Sequence, residues 1–376
     1  MLKESMTEKF DVIIVGAGPA GATAAYFLSH GGARVLVLDK ARLPRYKPCA
    51  GGVPRSALAL LPFSVDDAVE CETERVAYCW QAGQCVSFPL MGRPVRMVMR
   101  DRFDWHILNR AKAAVRDQTR VRDVSESPAG VRVTTEAGDV LAADYLIGAD
   151  GANSLVAHAL NLRRARLVGA ALEAEVTPDA ATFERYAGAA LFDFGAAPNG
   201  YLWIFAKRQH LSVGIGQLRS PGNAMRRTLQ MEMERLGVRL DGATLHGHAL
   251  PIFLGDERYQ TDRTLLAGDA ARLVDPLSGE GIRHAIASGR LAAEAILQGR
   301  ASQYSAAIRR YVGRHLRPML TLARLFYDHP WACYRYGVRN PRATRAFSRL
   351  VEGQTTAAGI MSTLALCLVE GLLRRA

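Results

Sequence analysis

The chain has 376 residues, of which 49% are hydrophobic and 22% are charged. This composition is typical of a folded globular protein and excludes a disordered or collagen-like chain, and the length suffices for two domains with an appended segment. The net charge is +12, but we find no nucleic-acid recognition motif and no aromatic residues interleaved with the basic ones, so we expect no nucleic-acid partner.

The N-terminus and the cysteines indicate the compartment. Residues 1–9 are polar and lack the apolar core of a signal peptide. The six cysteines show neither a CxxC pair nor the spacing of a zinc site. We therefore expect a cytoplasmic protein with free thiols in a reducing environment and with no metal site.

The first predicted elements form a βαβ unit of about 30 residues. Residues 10–15 are a near-continuous apolar run, typical of a buried parallel strand. The turn GAGPAG, a helix to about residue 29 and a second strand over residues 34–38 follow. In this G-x-G-x-x-G turn the first glycine allows a tight turn, the second lets the backbone approach a pyrophosphate, and the third lets helix and strand pack closely. An acid at the end of the second strand suits an adenosine ribose. The candidate cofactor residues here are Gly16, Ala17, Gly18, Ala20, Gly21, Asp39 and Lys40.

The middle of the chain predicts mainly strands. A loop rich in glycine and proline covers residues 44–54, and residues 76–88 and 131–135 alternate like half-buried strands. Residues 102–114 are predicted to be helical. The GADG stretch closes another apolar strand and contains the candidate cofactor residue Asp150. Strands are predicted over residues 189–194, 201–206 and 211–217, and a helix over residues 225–236. His246 and His248 flank a glycine in a predicted turn, and we interpret them as surface residues.

A third glycine-bearing segment begins with a buried strand over residues 264–267. Gly268 and Asp269 end this strand, and the carboxylate suits a ribityl hydroxyl. Gly279, Gly281 and Ile282 open an alanine-rich helix over residues 282–297, whose N-terminus would face the flavin N1–C2=O edge and stabilise the anion formed on reduction. The three segments together predict that the chain binds FAD, and no second nucleotide motif marks a site for NADPH.

The C-terminal part is predicted to be helical, with breaks near Pro318, Pro330 and Pro341. Residues 300–350 contain eleven arginines and one acid, residues 353–369 are uncharged, and Arg374 and Arg375 follow. Seventeen residues are the lower limit of a membrane span, and this run is diluted by polar residues. Two interpretations stay open: a region that lies on an anionic membrane surface at the inner face of the membrane, or a solvated basic helical face followed by a core helix.

The predicted fold class is α/β (α+β overall): a Rossmann-like FAD-binding domain with an inserted antiparallel β-sheet substrate domain and a helical C-terminal region. The FAD-binding domain is predicted to be discontinuous, with residues 8–72, 98–165 and 262–303. The substrate domain would comprise residues 73–97 and 166–261, and the helical region residues 304–376.

At these motifs the chain resembles the FAD-dependent geranylgeranyl reductases, within the superfamily that includes the aromatic hydroxylases of the p-hydroxybenzoate hydroxylase type. Residues 44–51, PRYKPCAG, are similar to the pattern P-x-x-Y-x-x-C-x-G of the reductases, with one residue instead of two between the proline and the tyrosine. Residues 201–207, YLWIFAK, followed by Gly214 and Gly216, are similar to Y-x-W-x-F-P-K and G-x-G, with Ala206 in place of the usual proline. The hydroxylases more usually carry G-Q-G-x-N where this chain has GEGI. The resemblance covers residues 10 to about 300.

The resemblance implies roles for further residues. Arg100 and the backbone near Val124 would contact FAD, Ala50 and Gly51 would lie near the isoalloxazine, and Cys49 would lie at the reaction end of the flavin. The wall of a prenyl-binding cavity would comprise Tyr201, Trp203, Phe205, Gly214 and Gly216. From the residues alone, Cys49 is either a packing residue or an active-site residue. Tyr201, Trp203 and Phe205 form an aromatic stripe, because they alternate along one strand and share one face. From the residues alone, such a stripe is interpreted first as core packing and second as a pocket wall.

The implied activity is reduction of C=C bonds in a prenylated lipid, with electrons from NADPH or ferredoxin. The lipid would be a geranylgeranyl ether lipid, a (bacterio)chlorophyll side chain or a quinone tail. An isolated trisubstituted alkene is unactivated, so a dry cavity and a positioned acid are needed. Cys49 and Tyr201 are the candidate proton donors, and Tyr46 is a weaker candidate. Two alternatives remain: an FAD-dependent aromatic monooxygenase or halogenase, although the W-x-W-x-I-P motif of flavin halogenases is absent, and a non-catalytic flavin- or lipid-binding protein.

Overall fold

The computed structural model describes residues 9–90, 94–162, 169–219, 224–351, 359–360, 362–363 and 365–367. Much of the uncharged run over residues 353–369, together with Arg374 and Arg375, lies outside these ranges. Among the helices within them, none combines the length and the apolar character that a membrane crossing requires.

The regular elements are numbered in chain order. The strands are β1 (Lys9–Val15), β2 (Val35–Leu38), β3 (Gly52–Val53), β4 (Val69–Thr73), β5 (Arg75–Trp80), β6 (Cys85–Pro89), β7 (Val95–Val98), β8 (Ala114–Arg116), β9 (Val121–Ser127), β10 (Gly130–Thr135), β11 (Val140–Gly148), β12 (Gly169–Val176), β13 (Ala189–Phe194), β14 (Gly200–Ala206), β15 (Leu211–Gln217), β16 (His246–Leu250) and β17 (Thr264–Leu266). The helices are α1 (Pro19–His30), α2 (Arg55–Leu58), α3 (Arg100–Leu108), α4 (Leu155–Ala159), α5 (Ala180–Tyr186), α6 (Met225–Arg235), α7 (Ile282–Leu297), α8 (Tyr304–Ile308), α9 (Arg314–Asp328), α10 (Pro330–Ala332) and α11 (Pro341–Val351).

The first sheet has the order β8-β2-β1-β11-β10-β9, with β17 paired to β11. Its strands β8, β2, β1, β11 and β17 run parallel, and β9 and β10 add antiparallel hairpins at one edge. The apolar runs of β1 and β2 are buried, as expected for parallel strands covered on both faces. Helices α1 and α7 pack closely, because a Cβ at Gly289 would lie 2.2 Å from the carbonyl oxygen of Ala20. The predicted Rossmann-like fold is confirmed.

The second sheet has the order β16-β12-β15-β14-β13-β5-β6 and is antiparallel except where β13 runs parallel to β5. One face packs on α6, and the other carries a cluster of aromatic side chains. The predicted strands over residues 189–194, 201–206 and 211–217 are present as β13, β14 and β15. A third, small sheet with the order β3-β7-β4 joins residues from both predicted domains, and the domain boundaries stay a prediction.

The expectation that all cysteines are free thiols is wrong for one pair. Cys79 and Cys85 form a disulfide across the β5–β6 hairpin, where they are directly paired with a Cα–Cα distance of 4.1 Å. The turn between them takes positive φ values at Gln81 and Ala82, as tight hairpins require. Among the described residues, the cysteines outside this disulfide are Cys49, Cys71, Cys333 and Cys367.

The predicted helix break at Pro318 is also wrong, because this proline lies inside α9. A proline in a helix interior costs about 3 kcal/mol. The apolar side of α9 buries Leu316, Met319 and Leu322, and each buried side chain of this size contributes about 1.5–3 kcal/mol. Packing therefore outweighs the local cost. The other two prolines coincide with boundaries, since α10 and α11 begin at Pro330 and Pro341.

Candidate active site and cofactor-binding cavity

One continuous cavity of about 1060 Å³ lies between the first and second sheets. The predicted cofactor residues Gly16, Gly18 and Asp39 line one part of it, and the aromatic residues Tyr201 and Trp203 line another. The fold therefore brings the predicted cofactor site and the predicted substrate wall into a single space.

The glycine turn before α1 has the geometry that a pyrophosphate needs. Gly16 has a φ of +104°, and a Cβ there would lie 2.2 Å from the carbonyl oxygen of Ala149. A Cβ at Gly21 would lie 1.9 Å from the carbonyl oxygen of Gly16. At Gly18 the nearest atoms to such a Cβ are guanidinium nitrogens of Arg45 and Arg100, at 3.6 and 3.9 Å. Two cations thus flank open space at the N-terminus of α1, which suits a diphosphate.

A network of charged side chains holds the two arginines. Arg100 donates to both carboxylate oxygens of Asp104 at 2.8 Å, and Arg45 Nη1 lies 3.3 Å from Asp104 Oδ2. Burial would lower the pKa of Arg100, but Asp104 raises it above its usual value. Asp39 accepts the backbone N–H groups of Ala17 and Ala41 at 2.8 and 2.9 Å. Asp39 therefore fixes the turn from the end of β2, and the sequence did not single out Arg45.

The predicted cofactor contact by the backbone near Val124 stays a prediction. Val124 lies in the hydrophobic core opposite Val133 and does not line the cavity, whereas Val121 on the same strand does. The pairing of β9 with β10 shifts register between Thr134 and Thr135. Such a bulge changes which side chains face inward, and the sequence pattern did not reveal it. Lys40 and Arg100 do line the cavity.

The acid of the third glycine segment, Asp269, lies in a cluster of basic groups. Its Oδ2 lies 3.6 Å from Lys47 Nζ and 3.7 Å from His248 Nε2. Burial alone would raise the pKa of Asp269, but Lys47, His248 and Arg100 hold it well below its usual range. The interpretation of His246 and His248 as turn residues at the surface is wrong: both belong to β16, are half-buried and line the cavity.

The start of α7 faces the same space. Gly279, Gly281 and Ile282 line the cavity, and the residue before the helix, Gly281, provides no side-chain cap. The N–H of Arg283 in the first turn donates to Glu280 Oε1 at 2.8 Å, and the other N–H groups at the helix start suit an electronegative flavin edge. Asp150 also lines the cavity, where it accepts hydrogen bonds from Ser154 Oγ at 2.6 Å and from the N–H of Val156 at 3.1 Å. Burial raises the pKa of Asp150.

The aromatic stripe of β14 is both a core and a cavity wall. Tyr201, Trp203 and Phe205 line the cavity, while Leu202 and Ile204 face the core beneath α6. The stripe continues on the neighbouring strands with Phe192 and Tyr78, and the ring centroids of Phe192 and Phe205 are 5.2 Å apart. Gly214 does not line the cavity; a Cβ there would lie 2.1 Å from Trp203 Cζ2, so this glycine makes room for the indole. Gly216 does line it.

The three candidate proton donors lie along this cavity, in different environments. Cys49 is half-buried and lines the cavity with Ala50 and Gly51. The Tyr201 hydroxyl donates to the carbonyl oxygen of Ser278, and burial raises the pKa of Tyr201 well above its usual value. Burial, followed by Glu173 and Glu175, likewise raises the pKa of Tyr46. Both tyrosines are therefore weak acids.

A buried lysine beneath the Cys49 loop was missed by sequence reasoning. Lys207 is 2% exposed, and its Nζ donates to the carbonyl oxygen of Val98 at 2.8 Å. A Cβ at Gly51, which has a φ of +75°, would lie 2.1 Å from this Nζ. Burial lowers the pKa of Lys207. The only feature of the sequence that could have indicated this residue is its place at the end of the segment YLWIFAK.

Comparison with known proteins gives the family. A family model described as an FAD binding domain matches residues 9–198. The chain is 33% identical to an uncharacterized protein of Methanosarcina barkeri (77% of this chain and 75% of the other). It is 31% identical to digeranylgeranylglycerophospholipid reductase 1 of Methanopyrus kandleri (77% and 81%) and 30% identical to geranylgeranyl diphosphate reductase of Rhodobacter capsulatus (77% and 75%).

Solved structures share the fold. A geranylgeranyl bacteriochlorophyll reductase-like protein of Thermoplasma acidophilum has a TM-score of 0.78 at 22% identity, over 96% of this chain and 99% of the other. A variant of the halogenase PltM in complex with FAD has a TM-score of 0.68 at 19% identity, over 95% and 86%. Proteins with different reactions share this architecture, so the fold by itself does not decide the reaction.

Proposed function

Because the chain belongs to the geranylgeranyl reductase family of FAD-dependent oxidoreductases, we propose that it reduces carbon–carbon double bonds in the prenyl chain of a lipid. The observation that carries this proposal is the single cavity in which the aromatic wall of β14 meets the cofactor-binding segments. An apolar, aromatic wall suits a chain of isoprene units, which offers no polar group for recognition.

The residues present fit an FAD. Arg45, Arg100 and the start of α1 would hold its pyrophosphate, Asp39 its adenosine ribose, and the start of α7 its flavin ring. When bound and reduced, the flavin supplies a hydride for the alkene. The aromatic wall excludes water from the alkene, which keeps the charge that develops during protonation in a dry site. Cys49 as a proton donor stays a prediction: if it holds, the Cys49→Ala variant should bind FAD and reduce the product bond more slowly, and unchanged turnover would remove Cys49 from the mechanism.

The electron donor and the membrane surface are further parts of the proposal. NADPH or a ferredoxin would reduce the flavin. Leu325 and Trp331 are 40% and 46% exposed within the arginine-rich C-terminal region, an arrangement that suits the surface of an anionic membrane. We expect cosedimentation with vesicles that contain anionic lipid, and loss of binding at high salt. Equal binding to purely zwitterionic vesicles would contradict the electrostatic part.

An anaerobic experiment tests the reaction. The FAD is reduced with dithionite, and a geranylgeranyl lipid is added in the absence of oxygen. We expect reoxidation of the flavin and a product heavier by about two mass units per reduced bond, since one hydride and one proton are added. A flavin that stays reduced until air is admitted would refute the proposal, and aromatic substrates with oxygen uptake would then test the monooxygenase alternative. A tightly held FAD that no donor reduces would indicate a non-catalytic protein.

A further inference from the structure

A buried carboxyl group in the cavity wall, that of Glu173, is not used by the reaction outlined above. On β12, Ala171 and Glu173 line the cavity, while Leu172 and Ala174 face the opposite core. Glu173 is 2% exposed, and its Oε1 accepts a hydrogen bond from Ser212 Oγ at 2.8 Å. Its Oε2 is buried and accepts no hydrogen bond from an N–H or hydroxyl donor of the described residues, while the carboxyl group of Glu175 lies within hydrogen-bonding range of the Glu173 carboxyl. Because an ionised carboxylate with an unpaired buried oxygen is strongly disfavoured, this environment favours the neutral acid.

The charges around Glu173 act in both directions. Burial, followed by the like charge of Glu175 two residues along the same face, raises the pKa of Glu173 to about 8, although Ser212 and Lys207 oppose the shift. The other titratable groups around it are Tyr46 and Cys49 in the loop after β2, His246 at the paired position of β16, and His210, which pairs with Glu175. The burial of Glu173 beside Glu175 therefore favours a protonated carboxyl group at a pH where an ordinary glutamate is ionised.

The strand register places this acid beside the aromatic wall. Glu173 pairs with Gly214 on β15, and Gly214 pairs with Trp203 on β14. Gly214 has no side chain, so the Trp203 ring extends over it. The Trp203 Nε1–H donates to Ser212 Oγ at 3.4 Å, and Ser212 Oγ donates to Glu173. The carboxyl group and the indole thus belong to one hydrogen-bonded row along the cavity.

On the basis of the function proposed above, we propose that Glu173 is a catalytic acid, which delivers its proton to the alkene carbon that does not receive the hydride. One new C–H bond takes its electron pair from the hydride that the reduced flavin supplies. The other takes its electron pair from the π bond and its proton from Glu173. The product is the saturated bond, the oxidised flavin and the Glu173 carboxylate, which solvent reprotonates before the next turnover.

The acid strengths around the cavity support this choice. General acids work best when their pKa lies near the working pH. The hydroxyl groups of Tyr201 and Tyr46 have pKa values raised above those of ordinary tyrosines, and Tyr201 already donates its hydrogen to Ser278. Glu173 is a stronger acid than either tyrosine and still holds its proton at pH 7.

The test compares Glu173→Gln with the matched control Glu175→Gln. Both residues lie on the same face of β12, but Glu175 does not line the cavity. We expect E173Q to lower kcat by about 100-fold, a typical contribution of a general acid. Its FAD content and its rate of flavin reduction by dithionite should match those of the wild type, because neither involves the substrate proton.

The pH dependence separates a catalytic role from a structural one. Wild-type kcat should fall as the pH rises through about 8, where Glu173 loses its proton. E173Q should lack this limb. E175Q removes the like charge that raises the pKa of Glu173, so this variant should keep its turnover and show the limb at lower pH.

A measurement without turnover completes the test. The infrared difference spectrum of the resting wild type minus E173Q should show the C=O band of a protonated carboxylic acid at pH 7, and this band should disappear near pH 8. Absence of this band from the wild type would overturn the inference, and so would an E173Q variant with wild-type kcat and pH profile. In the second case the proposed function would stand. If the wild type itself reduces no prenyl lipid, the proposed function fails and the catalytic role of Glu173 fails with it.

Discussion

Replacing Gly214 by alanine tests whether the Trp203 ring depends on the absence of a side chain beneath it. A Cβ at position 214 would lie 2.1 Å from Trp203 Cζ2 and 2.5 Å from the carbonyl oxygen of Leu172. The carbonyl belongs to the paired strand β12, so the strain falls on both the indole and the sheet. Gly216 is the matched control, since a Cβ there would meet only Trp203 Cζ3 at 3.8 Å, an ordinary van der Waals contact.

The two substitutions are expected to change the free energy of unfolding differently. Forcing an extra carbon into a packed interior costs about 1–3 kcal/mol. A glycine-to-alanine change in a compatible backbone stabilises by about 0.4–1 kcal/mol, because it restricts the unfolded chain. Neither glycine has a positive φ. We therefore expect G214A to lose about 1–3 kcal/mol of unfolding free energy and G216A to stay within about 1 kcal/mol of the wild type.

Urea unfolding of the FAD-loaded protein, followed by tryptophan fluorescence and flavin absorbance, measures both variants. The fluorescence of folded G214A should also differ from that of the wild type, because Trp203 must move, while that of G216A should change less. Equal stability and equal spectra for the two variants would refute the packing argument, and with it the close approach of Trp203 to the row that contains Glu173.

Three further predictions address the cofactor, the pH dependence and the disulfide. Arg45→Gln removes a cation beside the glycine turn and should raise the Kd for FAD at least about tenfold. The control Arg42→Gln, at an exposed position of the same loop, should leave this Kd unchanged. Quenching of flavin fluorescence during a titration measures the Kd of both variants. Asp193 is fully buried, and burial raises its pKa to about 6. The folded protein therefore binds this proton more tightly than the unfolded chain, and stability is lost as the pH rises from about 4 to 6. Asp193→Asn should remove about 2–3 kcal/mol of that decline; identical urea midpoints of the variant and the wild type at both pH 4 and pH 7 would contradict it. A thiol titration in denaturant should detect four cysteines without reductant and six with it, because Cys79 and Cys85 are linked; six without reductant would rule out the link.

Local sequence patterns predicted the regular elements well where the pattern and the packing agree. The predicted helix over residues 282–297 coincides with α7, and the predicted strand over residues 211–217 coincides with β15. Features that depend on distant partners were missed. Cys79 and Cys85 are linked because a hairpin pairs them, and Pro318 is tolerated because α9 packs against the aromatic face of the second sheet.

The glycine turn before α1 could be predicted from the sequence, because each of its glycines meets a local steric requirement. The two buried charged residues in or near the cavity wall did not follow from the sequence. Glu173 and Lys207 are charged residues on or beside strands, and such residues usually indicate a solvated face. Only the pairing of β12, β14 and β15 under the Cys49 loop shows that both are buried. The side chain of Val124 faces the core for a related reason, since a bulge at Arg122 of the same strand, β9, changes which side chains face the cavity.

The aromatic stripe also connects the segment before α7, residues 275–281, to the C-terminal helices. Tyr201 on β14 donates to the carbonyl oxygen of Ser278, and Tyr327 on α9 donates to the adjacent carbonyl oxygen of Leu277 at 2.7 Å. The segment that precedes the start of α7 is therefore held from two sides, by the substrate wall and by a helix beyond the region of strong family resemblance. The two bonds act on neighbouring peptide units, and Ser278 and Gly279 line the cavity, so α9 helps to position this part of the cavity wall. The C-terminal helices thereby contribute to the shape of the cavity.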